Sequence, residues 1–349
     1  MIGYLVQRKK PLKKYQFCFT DVYIELKETL LDIVDLNKFF TLRSGIIDLI
    51  SFKTSKKIKV IDNINLRLYK GEILVIAGES GSGKTTLAKL IMRSIDSDSG
   101  KIIFDDRDIT KLKGKELLKI RSRIQMIFQD PYSSLDPRMK IFDIVKEPLE
   151  VHKKKFSKKE MRESIESNLK KVNLDPDEIS NKFPHMLSGG QRQRVSFARA
   201  LVLKPLLIIA DEPVSMLDVS IRFQVLELMK KLRDEENVSF LYITHDLSTS
   251  QYVGDNIIIL YKGQIIEQGN IHEVLLHPLH PYTKALISAI PKFNNLEKIN
   301  IKNDVETCKS GCKFLNRCLY ASEECMNAEP TLIEANPSHS IRCYNYKSI

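Results

Sequence analysis

The segment Gly78-Glu79-Ser80-Gly81-Ser82-Gly83-Lys84-Thr85 constrains this 349-residue chain more than any other. It fits G-x-x-x-x-G-K-[ST], with the apolar run Ile73–Ala77 before it and the helical spacing of Leu87–Met92 after it. A run that is apolar at every position suits a strand buried on both faces of a sheet. Glycines at this spacing let successive backbone N–H groups turn onto phosphate oxygens. The helix that follows aims its positive end at the same charge. Lys84 then reaches the β- and γ-phosphates, and the Thr85 hydroxyl ligates Mg²⁺.

The rest of the chain supplies the layers such a loop needs. Leu30–Leu36 and Val60–Leu68 alternate in strand fashion, the second ending at the turn Lys70–Gly71–Glu72. From 199 onward helix and strand alternate: helix to Leu203, strand Leu206–Ala210, helix Ile221–Asp234, strand Ser239–Thr244. Strands alternating with helices predict an α/β fold around a largely parallel sheet. Residues 141–183 differ, being rich in Lys and Glu with helical spacing at Met161, Ile165, Leu169 and Val172 and a break at Asp175–Pro176. They read as a helical insert. Past about 270 the chain is punctuated by Pro and Cys, which predicts a small appended domain. Residues 1–28 match no motif and form an N-terminal extension.

Three further elements bear on the phosphate loop. Leu206–Ala210 runs into Asp211 and Glu212, and two acids at the end of a buried strand need a cation or a polar substrate beside them. Asp211 suits the Mg²⁺ side of a nucleotide, and Glu212 the orientation or deprotonation of the attacking water. Leu187-Ser188-Gly189-Gly190-Gln191 offers a second set of backbone donors at the start of the helical run Arg192–Leu203. One nucleotide does not need two cradles from one chain, so the second is expected to close on a γ-phosphate held by another subunit. His245 follows a core strand and can donate to the γ-phosphate.

Composition narrows the class. No apolar run exceeds five residues, whereas a membrane-spanning helix needs roughly 20. The stretch after the basic cluster Arg8–Lys14 is broken by Asp21 and Glu25 and lacks the apolar middle of a secretory signal, so a cytoplasmic location is expected. The formal charge of +11 is spread in short groups without an aromatic-interleaved RNA motif or a zinc finger. Of six cysteines, Cys18 stands apart, while Cys308, Cys312, Cys318, Cys325 and Cys343 cluster late in the chain. In a reducing compartment that cluster reads as a metal or iron–sulfur site.

Taken together, these residues resemble the ATP-binding subunits of ABC transporters. Gly78–Thr85 is similar to Walker A, Gln129 in Phe128-Gln129-Asp130-Pro131 to the Q-loop, and Leu187–Gln191 to the signature motif. Leu206–Glu212 is similar to Walker B with its catalytic Glu, Ser215-Met216-Leu217-Asp218 to the D-loop, and His245 to the switch histidine. Met216 stands where that family usually has Ala. The resemblance implies a RecA-like P-loop NTPase core over residues 29–270, with a helical subdomain at about 130–190. It also implies ATP and Mg²⁺ held by Gly78–Thr86, Gln129 and Asp211, with Glu212, Gln129 and His245 catalytic. Ser188, Gly189, Gly190, Gln191 and Asp218 then face the nucleotide of a partner in a head-to-tail dimer. Phe40 is the expected adenine-stacking aromatic, with Phe52 as the alternative.

The C-terminal part adds a narrower likeness. His280-Pro281-Tyr282-Thr283-Lys284-Ala285-Leu286 with Ala289-Ile290-Pro291 resembles the segment that follows the ATPase core in the peptide and nickel subfamily of importers. Cys312, Phe314, Arg317, Cys318, Cys325 and Cys343 continue the match, so 271–349 is expected to carry a [4Fe–4S] cluster on those four cysteines, with Zn²⁺ the alternative and Cys308 a bystander. The likeness implies import of di- or oligopeptides, or of nickel or oligosaccharides. The expected partners are a paralogous ATPase, two membrane permease subunits and an extracytoplasmic solute-binding protein, with the chain peripheral on the cytoplasmic face. The competing class, prompted by the +11 charge, is a soluble ABC-type ATPase acting on nucleic acid. Such proteins usually carry two cassettes or a long coiled coil, and this chain shows one cassette and no long heptad run.

Overall fold

Period-two alternation produces the first two strands, β1 (Thr29–Thr41) and β2 (Lys57–Tyr69), which pair antiparallel and bury Leu31, Ile33, Leu36, Ile61, Ile64 and Leu68. The computed structural model describes residues 27–41, 57–130, 134–152, 156–290 and 311–348. Phe52, Cys18, Cys308 and residues 1–26 of the expected extension lie outside that set.

The chain continues through β3 (Ile73–Ala77), α1 (Lys84–Ile91), β4 (Ser99–Phe104), β5 (Arg107–Asp108), α2 (Gly114–Arg123) and β6 (Ile124–Ile127). Three helices follow, α3 (Ile141–Val151), α4 (Lys158–Lys171) and the short α5 (Pro176–Ile179). Next come α6 (Gly189–Leu201), β7 (Leu207–Asp211), α7 (Val219–Glu236), β8 (Ser239–Thr244), α8 (Leu247–Val253), β9 (Asn256–Tyr261) and β10 (Gln264–Asn270). The last elements are α9 (Ile271–Leu276), α10 (Pro281–Ser288), α11 (Glu323–Asn327), β11 (Ile333–Asn336) and β12 (His339–Ile341).

Two sheets result. The smaller has the order β2-β1-β4-β5, and the larger β11-β12-β10-β9-β3-β8-β7-β6. In the larger, β9, β3, β8, β7 and β6 run parallel, as the alternating pattern predicts, while β10 and β12 pair antiparallel at one side. Its residues alternate strictly between two cores. Leu74, Ile76, Ile209, Leu241 and Ile243 face α1 and the antiparallel sheet. Val75, Ala77, Ile208, Ala210, Phe240 and Tyr242 face a second core that continues into the helical insert. The phosphate loop thus leaves the centre of a sheet whose two faces are both covered, which fixes where it can point.

The insert forms as its spacing predicts. Ile165 and Leu169 of α4 are fully buried, each removal from water stabilising by about 1.5–3 kcal/mol. Ser157 and Glu160 cap α4 reciprocally, and Pro176 starts α5 where a missing N–H costs nothing. The C-terminal segment, expected as an appendage, is woven into the main sheet. β12 pairs with Glu267–Gly269 of β10, Arg342 donates to the Ile265 carbonyl at 2.9 Å, and Lys313 pairs with Asp62 of β2 at 2.6 Å.

Candidate functional site

The phosphate loop needs glycine at two places for separate reasons. At Gly78 a Cβ would lie 2.2 Å from the Leu260 carbonyl oxygen, closer than any side chain allows. Gly83 stands at φ +108° as the N-cap of α1, a conformation costly to any residue with a Cβ. Lys84, 6% exposed, lies along the loop and donates to the carbonyls of Gly78 at 2.7 Å and Glu79 at 2.9 Å. Burial holds its ammonium below the usual lysine range, against the opposing pull of the Glu212, Asp211 and Glu79 carboxylates. Ser82 Oγ is buried without a hydrogen-bond partner among the described residues, so the loop keeps an uncommitted hydroxyl at its centre. Thr85, just beyond, is exposed, and Thr86 half-buried.

Asp211 closes β7 beside this loop. Burial raises its carboxyl above the usual range, and the hydrogen bond from the Thr85 side chain opposes the rise. A polyanion beside Lys84 and a divalent cation beside Asp211 would each reverse the shift that burial imposes. The donor set therefore fits Mg²⁺ with a nucleotide triphosphate.

Glu212 is the meeting point of the residues expected to be catalytic. Its Oε2 accepts from Gln129 Nε2 at 2.8 Å and its Oε1 lies 2.9 Å from His245 Nδ1. The Glu212 side chain is 13% exposed and that of His245 is 56% exposed, so the imidazole covers the carboxylate from the solvent side. Glu212 stands at φ +49°, an unusual backbone for a non-glycine residue and one found at functional sites. The structure therefore brings together Lys84, Thr85, Gln129, Asp211, Glu212 and His245.

The second set gathers elsewhere. Ser188 caps α6, its hydroxyl accepting from Gln191 N at 3.2 Å while Gln191 Oε1 accepts from Ser188 N at 3.0 Å. Gly189 packs on Leu217 of the other motif and Gly190 on Ile221 of α7, a Cβ there lying 3.4 Å and 2.5 Å from those side chains. Asp218 begins α7, and Ser188, Met216 and Asp218 are exposed. Arg222 ties this patch to the histidine loop through the Asp246 carboxylate at 3.1 Å and the Leu217 carbonyl at 3.3 Å. Phe40 lies near the end of β1, 42% exposed, with Lys38 Nζ 5.6 Å from its ring centre.

The cysteines share one neighbourhood. Burial pushes the Cys312 and Cys343 thiols up to about 11, and the other cysteine sulfurs add to both shifts. Among the described residues, no three His, Cys, Asp or Glu side chains stand close enough to grip a metal ion, so the expectation of a ready-made metal centre is not met.

Two residues that sequence reasoning left without a role touch the phosphate loop. Tyr282 Oη accepts from the Glu79 backbone N–H at 2.8 Å, and Arg317 donates to both Glu79 oxygens at 2.8 and 2.9 Å. Their only sequence signal is membership of the C-terminal pattern.

Among the described residues no helix is long and apolar enough to cross a membrane. Residues 61–215 match the ABC transporter family, and residues 266–325 match the oligopeptide/dipeptide transporter C-terminal region. The oligopeptide transport ATP-binding protein OppF of Salmonella typhimurium is 41% identical over 92% of this chain and 97% of its own. AppF of Bacillus subtilis, likewise an oligopeptide transport ATP-binding protein, is 40% identical over 92% and 98%. The dipeptide transport ATP-binding protein DppF of Haemophilus influenzae is 38% identical over the same shares, 92% and 98%. Among solved structures, the dimeric bacterial ABC transporter cassette MJ0796 superposes with a TM-score of 0.60 at 30% identity, over 69% of this chain and 99% of that one. cbiO1 from Clostridium perfringens, part of an ABC transporter complex, gives 0.62 at 26%, over 77% and 99%.

Proposed function

The chain belongs to the ATP-binding proteins of oligopeptide and dipeptide ABC transporters, and from that premise we propose that it hydrolyses ATP to energise import of di- and oligopeptides. The observation that carries the reading is Glu212, poised between Gln129 and His245 beside the phosphate loop. Lys84, Thr85 and Asp211 hold the Mg²⁺ nucleotide, Phe40 stacks on the adenine, and Glu212 orients the attacking water. Gln129 links the site to the helical subdomain at about 130–190, and His245 steadies the γ-phosphate.

The segment Ser188, Gly189, Gly190 and Gln191, with Asp218 and with Ser188 and Asp218 exposed, completes the nucleotide site of a second ATPase chain, a paralogue, in a head-to-tail pair. ATP binds the closed pair in preference to the open one and so shifts its population; hydrolysis lets it reopen. The subunit sits at the cytoplasmic face of the membrane beneath two permease subunits supplied by a solute-binding protein. The test is recovery of the tagged chain from membranes with those partners, and ATP-dependent peptide uptake by the complex in vesicles. A strictly monomeric preparation that hydrolyses ATP at the full rate of the complex would refute the paired mechanism.

Residues 271–349 act as the subfamily's C-terminal domain, and Cys312, Cys318, Cys325 and Cys343 hold a [4Fe–4S] cluster. The donor set fits, because every one of the four sulfurs has a polar hydrogen directed at it. The Tyr320 N–H donates to Cys318 at 3.3 Å, the Phe314 and Asn345 backbone amides to Cys312 and Cys343, and the Asn345 side-chain amide to Cys325 at 4.0 Å. Such donors oppose the rise that burial imposes on Cys312 and Cys343 and are the usual surroundings of cluster sulfurs. When bound, the cluster cross-links the segment that carries Phe314 and Arg317.

A further inference from the structure

The second residue of the phosphate loop is held from both ends by the C-terminal segment, a contact spanning more than two hundred residues of sequence. Tyr282 takes the Glu79 backbone N–H, and Arg317 clamps the Glu79 carboxylate with two parallel bonds. Both holders are themselves fixed. Tyr282 is fully buried and packs on Tyr261, ring centres 4.7 Å apart, and on Phe314 at 5.7 Å. The Arg317 guanidinium stands 5.8 Å from the rings of Tyr261 and Phe314 and 6.0 Å from that of Tyr282. The guanidinium is thereby held beside three aromatic rings while its two terminal nitrogens reach the loop carboxylate.

The arrangement meets a need. A carboxylate at this position lies next to a loop built to take a polyanion, and unpaired it repels the phosphates. Glu79 is also a point of leverage, since its carbonyl accepts from Lys84 Nζ at 2.9 Å. A loop residue held by its N–H and its carboxylate keeps that carbonyl, and with it the lysine, in place.

We propose that Tyr282 and Arg317 are positioning residues of the nucleotide site. Arg317 neutralises Glu79 and turns its carboxylate away from the phosphates, and Tyr282 fixes the first peptide of the loop. The C-terminal segment is thereby part of the ATP site. This rests on the nucleotide-binding reading of the phosphate loop, and the experiment separates the two. MgADP binding to the full-length chain is measured by calorimetry, with the ATP KM and kcat of the complex alongside.

Arg317→Ala should weaken MgADP binding about tenfold, the loss of a charged bidentate pair that is partly open to solvent. The same loss should appear in KM rather than in kcat. Adding Glu79→Gln to Arg317→Ala should restore binding to within about twofold of wild type, because no carboxylate is then left unpaired. Arg317→Lys should fall between, keeping the charge without the fork. Tyr282→Phe, which preserves the aromatic packing, should weaken binding about threefold. Unchanged binding in Arg317→Ala overturns the proposal. So does a loss that Glu79→Gln fails to relieve, since Arg317 would then serve only to fold its segment. Binding by Lys84→Ala as tight as wild type would overturn the phosphate-loop reading itself.

Discussion

Replacing Glu212 with Gln changes one charge and almost no shape, so it isolates what the carboxylate does. A glutamine oxygen can still accept from Gln129 Nε2, and its amide can donate to an unprotonated His245 Nδ1, the two contacts now made at 2.8 and 2.9 Å. Folding stability should therefore move by less than about 0.5 kcal/mol. Hydrolysis should fall far more, because an amide cannot accept a proton from water. General-base assistance contributes about 10²–10⁴ in rate, or about 3–5 kcal/mol of barrier. Binding should move the other way. Glu212 is the carboxylate acting most strongly on Lys84, so its neutralisation leaves the lysine free to serve the phosphates and removes a repulsive charge. MgATP affinity should hold or tighten by a few-fold. The assay is single-turnover phosphate release with equilibrium binding of MgATP on the same preparation. Hydrolysis within about threefold of wild type would refute the role given to Glu212. Loss of binding would instead make Glu212 a nucleotide ligand and not a base.

Other perturbations test separate parts of the argument. Phe40→Ala should weaken MgADP binding by about 1–3 kcal/mol while leaving inorganic triphosphate unaffected, as loss of base stacking alone requires. His280 is buried, and burial holds its imidazole down to about 4 from 6.5, against the Glu267 charge. The folded chain thus binds fewer protons than the unfolded one in that window, so this stabilisation is complete above pH 6.5 and disappears as pH falls toward 4. His280→Asn keeps a capping acceptor for Tyr282 N and should lose about 3 kcal/mol less than wild type across that range in urea titrations. Anaerobically purified chain should carry iron, labile sulfide and a visible charge-transfer band, and Cys343→Ser should diminish all three.

The central strands and the gathering of the motif residues at one sheet edge were legible because each rests on local pattern. Ile73–Ala77 and Ser239–Thr244 are apolar enough to demand two-sided burial, and both form strands with the bounds read from sequence. The phosphate loop declares itself by glycine spacing, and Asp211 and Glu212 by their place at the end of β7. What escaped depends on partners distant in sequence. β4 was not foreseen, because only Ile102 and Phe104 of its six residues are buried and its pairing with β1 supplies the rest of its stability. The C-terminal segment looked detachable because His339–Ile341 is too short to announce itself as a strand. It becomes one by pairing with β10, where His339 meets the buried Glu267 at 2.8 Å. Arg317 and Tyr282 likewise reveal their work only when the fold sets them against Glu79.

That late strand has a consequence during synthesis. While the nascent polypeptide lengthens at roughly 5–20 residues per second, β10 emerges from the ribosome long before His339–Ile341. For several seconds its outer backbone groups form an open template for any extended stretch nearby. Deleting the three residues of β12 should cost yield in the cell well before it costs turnover in the tube.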